Sequence, residues 1–282
     1  MLSMTSNYRT GTGCPAPALR RIADAGFTHV HWGHQWHTDF LYDPAEIRQI
    51  GRWLKDYGLA LLNLHGSHGQ EKCWWSPRDS ERRAGVALVR NRLHMAARLG
   101  ADVVIIHTPG WEPEAEGHAR QWAQLHRSLD ALAPIARGYG VRLAIENMPN
   151  DDFRGIDRLL AAYPPEFLGL CYDSGHGNMG RDGLDALARW TGRLIAVHLH
   201  DNAGVDDADG DRHQLPFDGT VDWPRLARLL AAAGLHTVNL ESIIRHYADE
   251  DDDRFLRRAR DRALGVAGLL ADAAHPDFAF LP

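Results

Sequence analysis

The sequence predicts an α/β fold of the (β/α)8 class, a parallel eight-stranded TIM barrel, as one domain over residues 1–282. Short runs rich in Val, Ile and Leu alternate with longer helical stretches, the pattern of buried parallel strands joined by crossovers. Six of these runs end in a residue able to ligate a metal: His65 after LALLNL, His107 after ADVVII, Glu146 after VRLAI, Asp173 after LGLCY, His198 after LIAV and Glu241 after HTVNL. In a closed barrel all six would converge on the C-terminal face, where active sites are built. An eight-unit barrel would also fill the 282 residues.

The elements follow in order. A short first strand is expected around Met4 to Arg9, because barrel closure needs it. APALRRIADAG reads as a helix closed by Gly26, and FTHVHW as the second strand. DPAEIRQIGRWLKDYG carries Asp43 as an N-cap, Pro44 at the first helical position and Gly58 as a stop, so it predicts the helix before LALLNLH. The unit then repeats. SPRDSERRAGVALVRNRLHMAARLG precedes ADVVIIH, HARQWAQLHRSLDALAPIARGYG precedes VRLAIE, and GIDRLLAAYPPEF precedes LGLCYD. DGLDALARWTG precedes LIAVHLHD, and DWPRLARLLAAAG precedes HTVNLES. A last helix is expected from Asp249 to about Ala274, its leading DEDDD run placed favourably at the helix N-terminus. The tail HPDFAFLP is apolar for a terminus and could pack on the barrel or on a neighbouring subunit, which leaves homo-oligomerisation open.

Composition narrows the function. Hydrophobic content of 44% and charged content of 24% suit a soluble globular chain with a large core. The net charge of −6 argues against nucleic-acid and anionic-membrane partners. Cys14, Cys73 and Cys171 are widely spaced and odd in number, which suggests neither a disulfide framework nor a cysteine zinc site. With no export signal or membrane span evident, the expectation is a cytoplasmic protein. Only Lys55 and Lys72 are lysines and neither ends a strand, which argues against Schiff-base chemistry. The 17 histidines point instead to metal.

Glu146, Asp173, His198 and Glu241 fall on four successive predicted strand ends. Three carboxylates and an imidazole suit a divalent ion such as manganese, magnesium, cobalt or zinc. Burying three carboxylates together would be strongly unfavourable without a cation. His65, His107, His176, Asp211 and His213 form a further layer, as second-metal ligands or as hydrogen-bonding and substrate contacts. His176 lies one turn beyond Asp173, and Asp211-x-His213 in an extended loop would turn both side chains the same way. His68 is the alternative to His65, and His200 to His198. Trp32, Trp36, Trp74, Trp75, Trp111 and Trp223 lie near predicted strand ends or loops. Their faces could stack on a ring or pack loops, and Trp32, His34 and Trp111 are taken as substrate-binding candidates. Glycine-rich GTG at Gly11 and GHGNMG at Gly180 read as turns.

IIHTPG, IENM, CYDSGH, VHLHD, DRHQLPFDGTVDW and NLES, in this order and spacing, resemble the xylose isomerase-like barrel superfamily, which holds sugar isomerases and epimerases and the endonuclease IV group. The resemblance runs from the helix closed by Gly26 through NLES. It implies that Glu146, Asp173, His198 and Glu241 match the single-metal quartet of the ketose epimerases, and that His176 matches a substrate-contacting histidine. In the endonuclease branch, the positions of His65, His107, His176, Asp211 and His213 complete a three-zinc cluster. Many sugar-acting relatives end the second strand in glutamate, where this chain reads VHWGHQWH, so His31, His34 or His37 could take over a sugar contact.

The expected activity is a metal-dependent isomerase or epimerase of a small ketose or keto-polyol. Glu146 and Glu241 would move the proton through an enediolate, and His176 would orient hydroxyls. A dehydratase or lyase on a related keto-polyol uses the same first step. A zinc phosphodiesterase and a non-enzymatic sugar-binding barrel are the other readings. Which substrate, whether it is phosphorylated, which metal and how many are left open by the sequence.

Overall fold

The computed structural model describes residues 1–9, 13–33, 39–67, 72–149, 152–180, 183–205 and 210–274. His34, Trp36, His37, His68, Gly11 and the tail from residue 275 lie outside the described residues.

Eight parallel strands form the sheet: β1 (Leu2–Thr5), β2 (His29–Trp32), β3 (Ala60–His65), β4 (Val103–Ile106), β5 (Arg142–Glu146), β6 (Leu168–Asp173), β7 (Leu194–His198) and β8 (Val238–Leu240). Their order is β7-β6-β5-β4-β3-β2-β1-β8. Leu199 closes the ring between β7 and β8. Its N–H donates to the Asn239 carbonyl at 2.9 Å, and its own carbonyl accepts from the Glu241 N–H at 3.1 Å. The chain is therefore a TIM barrel, with helices α1 (Ala16–Asp24), α2 (Pro44–Asp56), α3 (Asp79–Leu99), α4 (His118–Tyr139), α5 (Arg154–Ala162), α6 (Ser174–Met179), α7 (Gly183–Arg189), α8 (Trp223–Ala232) and α9 (Asp252–Ala274) around it.

Local chemistry sets the helix ends. At α2 the Asp43 carboxylate accepts from Glu46 N–H at 2.9 Å, and the Glu46 side chain accepts from Asp43 N–H at 2.7 Å, a complete capping box. Gly100 and Gly140 close α3 and α4 in the left-handed conformation, which costs glycine least.

Three boundaries differ from expectation. β1 begins and ends earlier than Met4–Arg9, because residues after Thr5 leave the sheet. Tyr8 is fully buried, accepts from Ile244 N–H at 2.9 Å and donates its hydroxyl to Asp252 at 3.0 Å. Helix α9 starts at Asp252, not Asp249, since Asp251 caps it by accepting from Arg254 N–H at 2.8 Å. The acidic run is thus spent locally: Asp252 also pairs with Arg9 and Arg21, and Glu250 with Arg258. The glycine-rich segment before Gly180, expected as a turn, is helix α6, whose N-cap is Asp173.

Strand pleating sorts the side chains into two cores. Met4, Val30, Leu64, Val104, Ile106, Leu143, Ile145, Leu170, Tyr172, Val197 and Leu240 join the main cluster with helix residues such as Leu93, Leu129 and Leu256. Val103, Ile105, Ala144, Cys171 and Ala196 form a separate small cluster inside the barrel. Residues two positions beyond these share their face. That parity sends His107, Glu146, Asp173 and His198 to the barrel mouth, directly above an apolar floor.

Candidate metal centre

The strand ends meet as the parity requires. His198 sits between Glu146 and Glu241, its Nδ1 2.9 Å from an oxygen of each and 3.9 Å from Asp173. Ligand atoms of Glu146, Asp173, His198 and Glu241 lie within 4.8 Å of one another. The other oxygen of Glu146 faces His107 Nε2 at 3.0 Å and His65 Nε2 at 3.2 Å, so Glu146 belongs to two groups. A third group gathers His176, His200, Asp211 and His213, and a fourth His31, His198 and Glu241.

The histidine tautomers are set from behind. His65 Nδ1 lies 3.0 Å from the Gly66 carbonyl, His176 Nδ1 2.9 Å from the Asn147 carbonyl and His213 Nδ1 2.7 Å from the Glu241 carbonyl. A carbonyl oxygen only accepts, so each Nδ1 carries a hydrogen and each Nε2 is the nitrogen turned towards carboxylates. That outward N–H to a backbone carbonyl is the arrangement that orients metal-ligating imidazoles.

Electrostatics point the same way. Burial alone would raise the Glu146 carboxyl, but His198 and His107 outweigh it and hold it well below the usual carboxylate range. Glu241 is likewise lowered, burial being overcome by His198. Burial pulls His176 down, yet Asp173, Asp211 and Glu146 push it up to about 10, and His213 rises to about 9 through Asp211 and Glu241. His31 is pushed down to about 3 by burial and by His198. Carboxylates and imidazoles concentrated in a buried mouth with this charge balance fit a divalent cation. The donor set, mixed nitrogen and oxygen, is one that divalent ions take.

The site rests on two polar braces that sequence reasoning did not single out. Asn147, fully buried after β5, accepts from Asp173 N–H at 2.8 Å and donates to the Asp173 carbonyl at 3.0 Å, tying β5 to β6. Asp201, also fully buried, accepts from four donors: Asn202 N–H at 2.9 Å, Phe217 N–H at 3.0 Å, Val221 N–H at 3.1 Å and Trp223 Nε1–H at 2.8 Å. It organises the loop that carries Asp211 and His213. VHLHD contained the signal, an aspartate three residues beyond the end of β7.

Other candidates separate. His200, the alternative to His198, falls in a different group: its Nε2 lies 2.9 Å from Asp173, and its ring stacks on His213 with centroids 3.9 Å apart. The close approach of α6 to that ring leaves no space for a β-carbon at Gly175. Trp32, taken as a substrate contact, is fully buried: one residue beyond His31, it falls on the opposite face of β2 and donates to the Tyr42 hydroxyl at 2.8 Å. Trp111 packs edge-on against His118 and Trp122, with Arg158 over its ring at 4.1 Å. Trp74 and Trp223 are core residues. No described helix is long and apolar enough to cross a membrane.

Comparison with known proteins agrees with the barrel. The chain is 31% identical to the uncharacterized protein y4fM of Sinorhizobium fredii, covering 91% of this chain and 89% of that one. It is 29% identical to the "Probable endonuclease 4" of Oleidesulfovibrio alaskensis over 58% of this chain and 60% of the relative. Among solved structures, a D-tagatose 3-epimerase-like protein superposes with a TM-score of 0.77 at 17% identity, covering 97% of this chain and 99% of that one. The IolI protein with a binding zinc atom gives 0.77 at 16% identity, covering 95% and 98%. The description of the xylose isomerase-like TIM barrel matches residues 19–263, nearly the whole ring of strands and the mouth they build, and the chain belongs to that family.

Proposed function

We propose that the chain is a divalent-metal-dependent isomerase or epimerase of a small ketose or keto-polyol. One observation carries the reading: Glu146 from β5 and Glu241 from the end of β8 approach His198 from two sides, each at 2.9 Å, in a quartet buried at the barrel mouth. A bound ion would polarise the substrate carbonyl and its neighbouring hydroxyl, which stabilises negative charge on oxygen. Glu146, Asp173, His198 and Glu241 would hold it.

The two glutamates are not equivalent. Glu146 is 2% exposed with both oxygens engaged, whereas Glu241 is 15% exposed, with one oxygen 2.9 Å from His198 and the other 3.9 Å from His31. We assign Glu241 to proton removal from the carbon beside the carbonyl, and Glu146 to proton return. His176, held through Asn147 and facing Asp211 at 3.3 Å, would donate to substrate hydroxyls. Loss of a leaving group after the same proton removal would give a dehydratase or lyase, which product analysis separates.

The test is deuterium wash-in from heavy water into a panel of ketoses and keto-polyols, followed by NMR. Exchange at the carbon beside the carbonyl, lost in Glu241→Gln, supports the reading. Absence of exchange in any member, with retained metal, counts against it.

A second reading follows from one specific observation: His65 and His107 against Glu146, and His176, Asp211 and His213 together, place two further ligand groups beside the quartet. Three ions so held would suit water attack on a phosphodiester. The relatives named probable endonuclease 4 are in keeping with it, and the net charge of −6 favours a small phosphodiester over duplex DNA. Hydrolysis of bis-(4-nitrophenyl) phosphate with two or three zinc ions per chain would move this reading ahead.

A further inference from the structure

We propose that His31 is a metal ligand acting together with His198 and Glu241, and that Asn63 is the positioning residue that fixes its tautomer. The inference deepens the metal-site reading and rests on it.

His31 comes from the inner face of β2 and is paired in register with Asn63 of β3. Its Nδ1 lies 2.7 Å from Asn63 Oδ1. An amide oxygen only accepts, so Nδ1 carries the hydrogen and Nε2 is left with a lone pair. That Nε2 is buried and makes no hydrogen bond among the described residues, and it faces Glu241 Oε1 at 3.9 Å. Two lone-pair atoms aimed at each other out of water are unfavourable unless something positive joins them.

The arrangement repeats what is seen at His65, His176 and His213, where Nδ1 donates outward and Nε2 looks towards a carboxylate. At His31 a side-chain amide replaces the backbone carbonyl. The separations are right for one ion: ligand atoms each about 2.1 Å from a shared metal lie roughly 3–4 Å apart. Ligand atoms of His31, His198 and Glu241 are all within 4.8 Å of one another. A contact with substrate alone would explain the lone pair but not the proximity to both His198 and Glu241.

The experiment is cobalt(II) titration of metal-free protein against a competing chelator, with the visible absorption spectrum recorded, for wild type, His31→Gln, Asn63→Leu, Asn63→Asp and Glu241→Gln. The expected result is a loss of about 10–100-fold in cobalt affinity and a changed spectrum for His31→Gln. Asn63→Leu should weaken binding in the same direction, and Asn63→Asp, which still accepts from Nδ1–H, should restore it. Circular dichroism of the metal-free forms checks folding; if His31→Gln fails to fold, the Asn63 pair carries the test. Wild-type affinity and spectrum in His31→Gln, with binding lost in Glu241→Gln, would overturn the role of His31 and leave the metal site standing. Failure of wild type to bind cobalt would overturn both.

Discussion

Asp201→Asn should separate the loop-borne ligands from the strand-borne ones. One carboxylate oxygen of Asp201 accepts from Asn202 and Val221, the other from Phe217 and the Trp223 indole. The substitution turns one oxygen into an NH2 group that must face two donors. If the amide nitrogen replaces the second oxygen, the Trp223 indole, 3% exposed, loses its partner in the core, and the Phe217 N–H loses its acceptor with it. A buried donor left unsatisfied costs about 1–3 kcal/mol, and a donor now facing a donor adds repulsion, so the loss should be about 2–4 kcal/mol. Urea unfolding reads it as a lower midpoint with an unchanged slope. The same change loosens the loop bearing Asp211 and His213 while Glu146, Asp173 and His198 stay on their strands. Metal titration should therefore lose the weaker, loop-dependent component and keep binding at the quartet. A midpoint equivalent to within 0.5 kcal/mol of wild type, roughly the range of a neutral surface change, would refute the reasoning that this carboxylate holds the loop.

Further outcomes follow from the same geometry. Metal-free protein should lose stability as pH rises from about 7 towards 9–10: His176 and His213 have folded values of about 10 and about 9 against about 6.5 unfolded, so their contribution is complete below about 6.5 and fades above. If the group of His176, Asp211 and His213 also takes an ion, loading displaces those protons, with proton release at neutral pH and loss of this dependence; with the quartet alone loaded the dependence stays. Gly175→Ala should destabilise by about 1–3 kcal/mol, because the added carbon meets the His200 ring; a neutral result in thermal unfolding would contradict the packing. In the native protein a thiol reagent should label Cys14 alone, since Cys73 and Cys171 are buried and burial pushes the Cys73 thiol up to about 11; three thiols should react after unfolding. Glu241→Gln should lower turnover by about a hundredfold or more if it removes the proton, measured at matched metal content because Glu146 and Glu241 each belong to two ligand groups.

The sequence by itself determined the barrel and which residues stand at its mouth. Apolar runs of strand length recur with crossovers between them, and a period of two along each strand fixes whether a side chain faces the interior or the helices. A histidine, aspartate or glutamate ending such a run was therefore readable as a mouth residue. The structure turns Trp32, a substrate-binding candidate from the sequence and one step from His31, into the main core instead. The tertiary structure decided what periodicity cannot encode: contacts between residues distant in sequence. Which histidine nitrogen points inward depends on carbonyls of Gly66, Asn147 and Glu241, and the pairing of His31 with Asn63 depends on the register of β2 against β3. His198 faces Glu146 and Glu241 while His200 faces Asp173 and His213, because the chain leaves the sheet after Leu199. The loop from β7 to α8 carries no periodic pattern; its described residues are gathered by one buried carboxylate that accepts from four donors, an interaction that exists only once the barrel has closed around it.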